Sequence, residues 1–398
     1  MTQPDYLRTS RDRQRRLYDQ AFGWICRVVA SVSILILATL LVGLIIKGGS
    51  WLSWGFLVNG HREDAPGDSG VGPAIIGSLT ICLICAFTAL PIGIGTALWL
   101  EEYQPRKKLY KRFHQLVQVN IANLAGVPSI VYGILGVTAF VYMFGLFGKI
   151  QTDRPPEIEF GIDYFYQVKT LAGDFVKIPC TDKSQTQFTI AEPIDFIDAN
   201  GVSGTLSVVE RGKKPADESI WSSTVYAGQK ASITSQKKPY YFHFPLHKSV
   251  LAAGLTLALV ILPIVIVASQ ESLRAVPQSL REAAFGLGGN HWQVVSGTVL
   301  PSAIPGIMTG SILALSRAIG EAAPLLAVMG GILSTTGGLS NLMESTPTLP
   351  VTIFRWAQDD NPQFENLAAA AILVLLILLL ALNSLAMYVR FRAEKFRR

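Results

Sequence analysis

The chain has 398 residues, half of them hydrophobic, with 16% charged and a formal net charge of +6. An ordinary soluble chain is about 25% charged, so this deficit excludes a typical globular enzyme and points to a bilayer. The basic excess lies beside apolar runs rather than in a patch of its own, which excludes a nucleic-acid partner.

Runs long enough to cross a membrane, at about 20 residues per helix, fall near 25–46, 74–100, 116–147, 249–269, 302–330 and 367–389. The third and fifth exceed the hydrocarbon thickness. They are expected to tilt, to kink at Pro128 or Pro305, or to divide into a helix and a re-entrant piece. Arg8, Arg11, Arg13, Arg15, Arg16 and Arg27 flank the first run. Arg106, Lys107, Lys108, Lys111 and Arg112 separate the second from the third, Arg274 and Arg281 follow the fourth, and 390–398 is a basic tail. The alternate loops are poor in Lys and Arg, so the positive-inside rule puts both termini in the cytoplasm. Residues 1–24 then form a basic cytoplasmic segment and 25–46 the first membrane helix, read as a retained anchor because Lys47-Gly-Gly-Ser-Trp51 is a poor cleavage site.

The loop 48–70 reads as polar. Cys82 and Cys85 have CxxC spacing inside an apolar helix with no His nearby, which suits buried packing rather than metal. Cys26 and Cys180 stand apart, so no intrachain disulfide is expected. Residues 151–246 interrupt the membrane pattern with alternating runs at 163–169, 188–190 and 204–209, separated by turn-prone stretches at 172–174, 200–201 and 211–215. That pattern predicts a small β-rich domain, extracytoplasmic by topology. His243 and His247 are four apart, but Phe244 and Pro245 argue against a shared helical face. The Gly/Ser/Thr/Pro-rich segment 331–365 carries an apolar–aromatic stretch, 353–358, expected to form a short interfacial helix. No metal cluster and no phosphate-cradling loop occurs, so ATP chemistry is not expected on this chain.

After the fourth run, Pro277 suits the start of a short helix of about three turns and Gly288-Gly289 its end. Ala283 and Ala284 keep one face flat enough for another protein to approach closely. The next span is expected to begin around Pro301. Further on, Arg317 and Glu321 lie one helical turn apart in an apolar run. A charge at the bilayer centre costs roughly 2.5–3.5 kcal/mol even on insertion scales, so such residues face protein or water. The planar guanidinium matches oxyanions two oxygens at a time. The pair therefore reads either as an anion contact or as a self-neutralising i,i+4 pair.

The spacing Glu282-Ala283-Ala284, three residues, Gly288, nine residues, then Leu300-Pro301 resembles the coupling loop of ABC-transporter permeases; Thr298 stands where an aliphatic residue is usual. Gly126-Val-Pro128-Ser129-Ile-Val-Tyr-Gly133 and Arg317-Ala-Ile-Gly-Glu321-Ala-Ala-Pro324 are similar to the permeases of the phosphate-specific importer, the PstA type above the PstC type. The resemblance covers 72–389 without 151–246. It implies an all-α polytopic membrane protein with six helices of the type I importer permease (MetI-like) fold, the β-rich insertion lying between the third and fourth. It implies an ATPase dimer docked on Glu282 and Gly288, a second PstC-type permease, and an extracytoplasmic phosphate-binding protein. ATP and Mg would bind the ATPase, and this chain would carry no cofactor. Arg317 would line the path, with Glu321 setting its orientation, and Pro128 would kink the third span while Ser129 offers a hydroxyl. Permeation of sulfate, molybdate or phosphonate, an ATPase-independent transporter, and a membrane scaffold or sensor are the alternatives.

Overall fold

The computed structural model describes residues 10–103, 107–146, 158–169, 175–180, 187–197, 203–210, 225–226, 229–230, 232–331, 333 and 341–395. In chain order, α1 (Ser10–Gly48), the short α2 (Trp54–Val58), α3 (Gly72–Glu102), α4 (Lys108–Leu124) and α5 (Ser129–Gly136) precede the insertion. After it come α6 (Val250–Arg274), α7 (Gln278–Gly286), α8 (His291–Val294), α9 (Leu300–Gly320), α10 (Ala323–Met329), α11 (Leu349–Trp356) and α12 (Pro362–Lys395). Five helical stretches are long and apolar enough to cross a membrane, and a sixth is counted if α4 and the α5 region form one broken span.

The third predicted span divides at the Pro128 region, as its excess length suggested. α4 and α5 meet at 113°, and the Tyr132 hydroxyl donates to the Leu124 carbonyl at 2.8 Å across the break. The fifth run also divides, as its excess length allowed, but it differs from expectation in where it starts and where it breaks. Its helix begins earlier, at His291, where Asn290 and Gln293 form a reciprocal capping box; a π-turn at Val295–Val299 then leads into α9. It also runs unbroken through Pro305 and stops at Gly320. The next helix is a separate one, with Pro324 in its first turn and left-handed Gly330 at its end. A proline in the first turn needs no donor there, which suits a fresh start.

α6 is apolar all round and is the most enclosed span, as a helix without a polar face should be. Lipid tails are as apolar as leucine, so association of membrane helices rests on close packing. Ile81 and Cys85 of α3, Leu257 and Ile261 of α6, Ala314 and Ala318 of α9, and Leu325 and Val328 of α10 form one core. α1 lies at the periphery with its apolar surface exposed.

Strands β1 (Ile158–Lys169), β2 (Phe175–Cys180), β3 (Gln187–Ile197), β4 (Ser203–Glu210), β5 (Val225–Tyr226), β6 (Gln229–Lys230) and β7 (Ser232–Phe244) occupy the insertion. An antiparallel sheet of order β2-β1-β7 and the pairs β3-β4 and β5-β6 result. The predicted turns at 172–174, 200–201 and 211–215 lie outside the described residues. Tyr241 and Leu246 at the root are buried in the helical core, with Ile162, Phe242 and Phe244 packed against it. His243 sits in β7, with its ring 5.0 Å from that of His247.

The loop 48–70 is less polar than its sequence suggested. Ser53 caps α2 by accepting from Phe56 N at 3.1 Å, and Phe56 is buried beside Trp356 and Phe364. The Trp356 indole donates to His61 Nδ1 at 3.0 Å. The short helix expected at 353–358 begins earlier, at Leu349.

Candidate coupling and permeation site

α7 follows Pro277, whose ring presets the backbone for a helix start, and it buries none of its residues. At its end the Gly288 amide donates to Phe285 O at 2.9 Å and the Gly289 amide to Ala284 O at 3.3 Å. These two bonds make a Schellman cap, which requires a left-handed residue; Gly288 supplies it at φ +84. Glu282 and Ala283 are exposed and Ala284 half-buried. Around them Leu280, Phe285, Leu287 and Trp292 leave apolar surface uncovered, the kind of patch that marks an interaction site. Leu300 packs against the buried cluster that includes Val294, Val299 and Leu273, so the Leu-Pro end of the loop fastens it to the membrane helices.

The last turn of α3 ties this region together, and sequence reasoning passed over it. His114 of α4 donates through Nε2 to Leu100 O at 2.9 Å. Arg274 of α6 grips Glu101 at 3.0 and 2.7 Å, and Gln270 adds a bond at 2.9 Å. Arg281 of α7 donates to Glu102 Oε1 at 2.7 Å and to Leu273 O at 2.8 Å. His291 donates to Glu102 O at 2.9 Å. The carbonyl end of a helix carries partial negative charge and attracts such donors. A cleft of about 790 Å³ opens between Glu101, Tyr103, Gln278, Phe285 and His291. Two adjacent glutamates ending an apolar run, opposite arginines seven apart, were the available signal.

At the second predicted cluster, Arg317 lies in the last turn of α9 and Glu321 is the residue that ends the helix, in extended backbone at φ −83, ψ 115. The expectation of one continuous helical face is corrected: the pair spans a helix break. Arg317 Nε stands 3.7 Å from Glu321 Oε2, with side chains 54% and 18% exposed. That separation is an ion pair without a hydrogen bond. Beside it, Ser316 hydrogen-bonds Asn383 of α12.

Pro128 is the N-cap of α5 and Ser129 its first residue. Among the described residues no hydrogen bond or ion pair joins either of them to Arg317 or Glu321. The two segments meet further along. A Cβ on Gly133 would lie 2.9 Å from Pro324 Cα, and one on Gly136 would lie 2.1 Å from Thr256 Oγ1. Only glycine lets α5 approach α10 and α6 this closely. No group of three His, Cys, Asp or Glu residues that could hold a metal occurs among the described residues.

Comparison with known proteins agrees with this geometry. The phosphate transport system permease protein PstA of Yersinia pestis is 41% identical over 140 residues, covering 35% of this chain and 46% of that protein. PstA 1 of Mycobacterium tuberculosis (strain ATCC 25618 / H37Rv) is 35% identical over 153 residues, covering 38% and 48%. The probable ABC transporter permease protein YqgI of Bacillus subtilis (strain 168) is 26% identical over 330 residues, covering 81% and 75%. The chain spans about half the length of the PstA relatives it matches. Residues 89–395 match the family described as binding-protein-dependent transport system inner membrane component. That match takes in the exposed α7 loop and the Arg317–Glu321 break together, and the chain belongs to this family of inner-membrane transport components.

Proposed function

We propose that this chain is a membrane-spanning permease subunit of an ATP-driven importer for inorganic phosphate, with 72–389 as its permease domain. The observation that carries this reading is the Schellman-capped α7, whose residues fit the coupling-loop spacing and whose apolar side chains are exposed among the described residues. An ATPase dimer would dock there and hydrolyse ATP, so the chemistry lies on the partner. A second, PstC-type permease would complete the path. An extracytoplasmic binding protein would deliver phosphate at the side that carries the insertion 151–246. Both termini would then be cytoplasmic, as their basic flanks require.

Phosphate is favoured by its relatives' substrate and by Arg317. Among the described residues its guanidinium makes no hydrogen bond, and it can offer paired donors to an oxyanion. Glu321 would keep that guanidinium partly neutralised until phosphate competes for it. Pro128 and Ser129 would open α5 at the break in the third span. Family and spans together make the chain a multi-pass inner-membrane protein.

The test is uptake by proteoliposomes holding this chain with its partner permease and ATPase, with binding protein outside and ATP inside. ATP-dependent, vanadate-sensitive accumulation of phosphate is the expected result. Preference for sulfate or molybdate would reassign the cargo.

A further inference from the structure

The last turn of α3 offers more than an anchor. α7 buries no residue fully, and its apolar packing on the membrane helices comes from the small side chain of Ala284, which is little to carry a sideways load. Its firm hold is Arg281, whose side chain is 18% exposed, against Glu102, 6% exposed. One guanidinium nitrogen reaches Glu102 of α3 and another reaches Leu273 O of α6. His291, which opens the helix on the far side of Gly288, fastens to the carbonyl of the same Glu102. Both sides of the coupling loop therefore converge on one residue. The pair is shielded from water, so it holds its geometry where an exposed pair would exchange with solvent.

We propose that Glu102 and Arg281 are positioning residues, a strut that turns displacement of α7 into joint movement of α3 and α6. This inference rests on the importer reading above. Lysine cannot replace the arginine, because a single ammonium on a flexible stem does not span two acceptors on two helices in a fixed fork. Glutamine at 102 keeps the shape and the acceptor oxygen while removing the charge.

The experiment uses the whole complex in proteoliposomes and compares wild type with Arg281→Lys and Glu102→Gln. It measures recovery of the ATPase with the permeases, basal ATP hydrolysis, and inorganic phosphate moved per ATP. Both variants are expected to assemble and to hydrolyse ATP within twofold of wild type, while phosphate moved per ATP falls at least fivefold. An unchanged ratio in both variants overturns the strut. Loss of assembly in both also overturns it, since the pair then only holds the fold. The wild-type arm separates the two ideas. If wild type hydrolyses ATP without moving any oxyanion, the importer reading falls and takes the strut with it. A working wild type beside variants of unchanged ratio removes the strut alone.

Discussion

Replacing Arg317 with alanine separates transport from stability. The ion pair it would remove is 3.7 Å long, and the arginine is more than half exposed. Exposed pairs contribute about 0.2–1 kcal/mol, so unfolding in detergent should shift by no more than about 2–4 °C. A hydrogen bond from a charged donor to an oxyanion is worth roughly 1.5–3 kcal/mol. At about 1.4 kcal/mol per factor of ten, its loss should lower phosphate uptake roughly 10- to 150-fold. Arg317→Lys, which keeps the charge and loses the fork, should fall between. Glu321→Gln leaves the guanidinium in place and should keep uptake within about tenfold of wild type. Radiolabelled uptake and thermal unfolding of the same preparations give both numbers. Uptake of Arg317→Ala within twofold of wild type would refute the pathway role, leaving the pair as self-neutralisation at a helix end. So would a stability loss of several kcal/mol, which would mean the arginine holds the break together.

Three further outcomes follow from the packing and the termini. Gly136→Val places a branched side chain where even a Cβ would lie 2.1 Å from Thr256 Oγ1; overpacking of about 1–3 kcal/mol or more should appear as a lower melting temperature. Gly288→Ala meets no neighbour but must hold a left-handed backbone at φ +84, at a cost of about 1 kcal/mol; the protein should stay folded while recovery of the ATPase with the permeases falls. His61, in the loop between α2 and α3, is pulled below its usual pKa by burial, against the raising influence of Glu63 and Asp359. A base whose folded pKa is depressed is bound by more protons when unfolded, so its contribution to stability is complete above about pH 6.5 and declines as pH falls below it. His61→Phe should flatten that part of a pH–melting curve, and an unchanged slope would exclude His61 as its source.

Much of the membrane architecture was legible because apolar length and flanking charge are direct physical requirements of a bilayer. The break in the third span was legible too, since its run was too long to cross straight and carried Pro128. The fifth run was also too long to cross as one piece and does divide, but the place of its break was not legible. Pro305 looked like its weak point, yet the helix passes through Pro305 and stops at Gly320, where no proline marks the end. Periodicity alone does not separate one long helix from two short ones joined at an extended residue such as Glu321. The polar reading of 48–70 failed because Phe56 and His61 take their burial from Trp356 and Phe364, about 300 positions away. The α7 loop was readable in spacing, whereas its fastening was not. Glu102 and Arg281 are 179 residues apart, and only the packing of α3 on α6 brings them together.

We propose that this chain moves phosphate when a partner ATPase works on α7. The measurement that tests it most directly is ATP hydrolysis by the reconstituted complex, with and without phosphate-loaded binding protein, read alongside phosphate accumulation in the same vesicles. Hydrolysis and accumulation rising together, both abolished by vanadate, is the predicted result. Phosphate accumulation that persists without ATP or in the presence of vanadate would contradict the account.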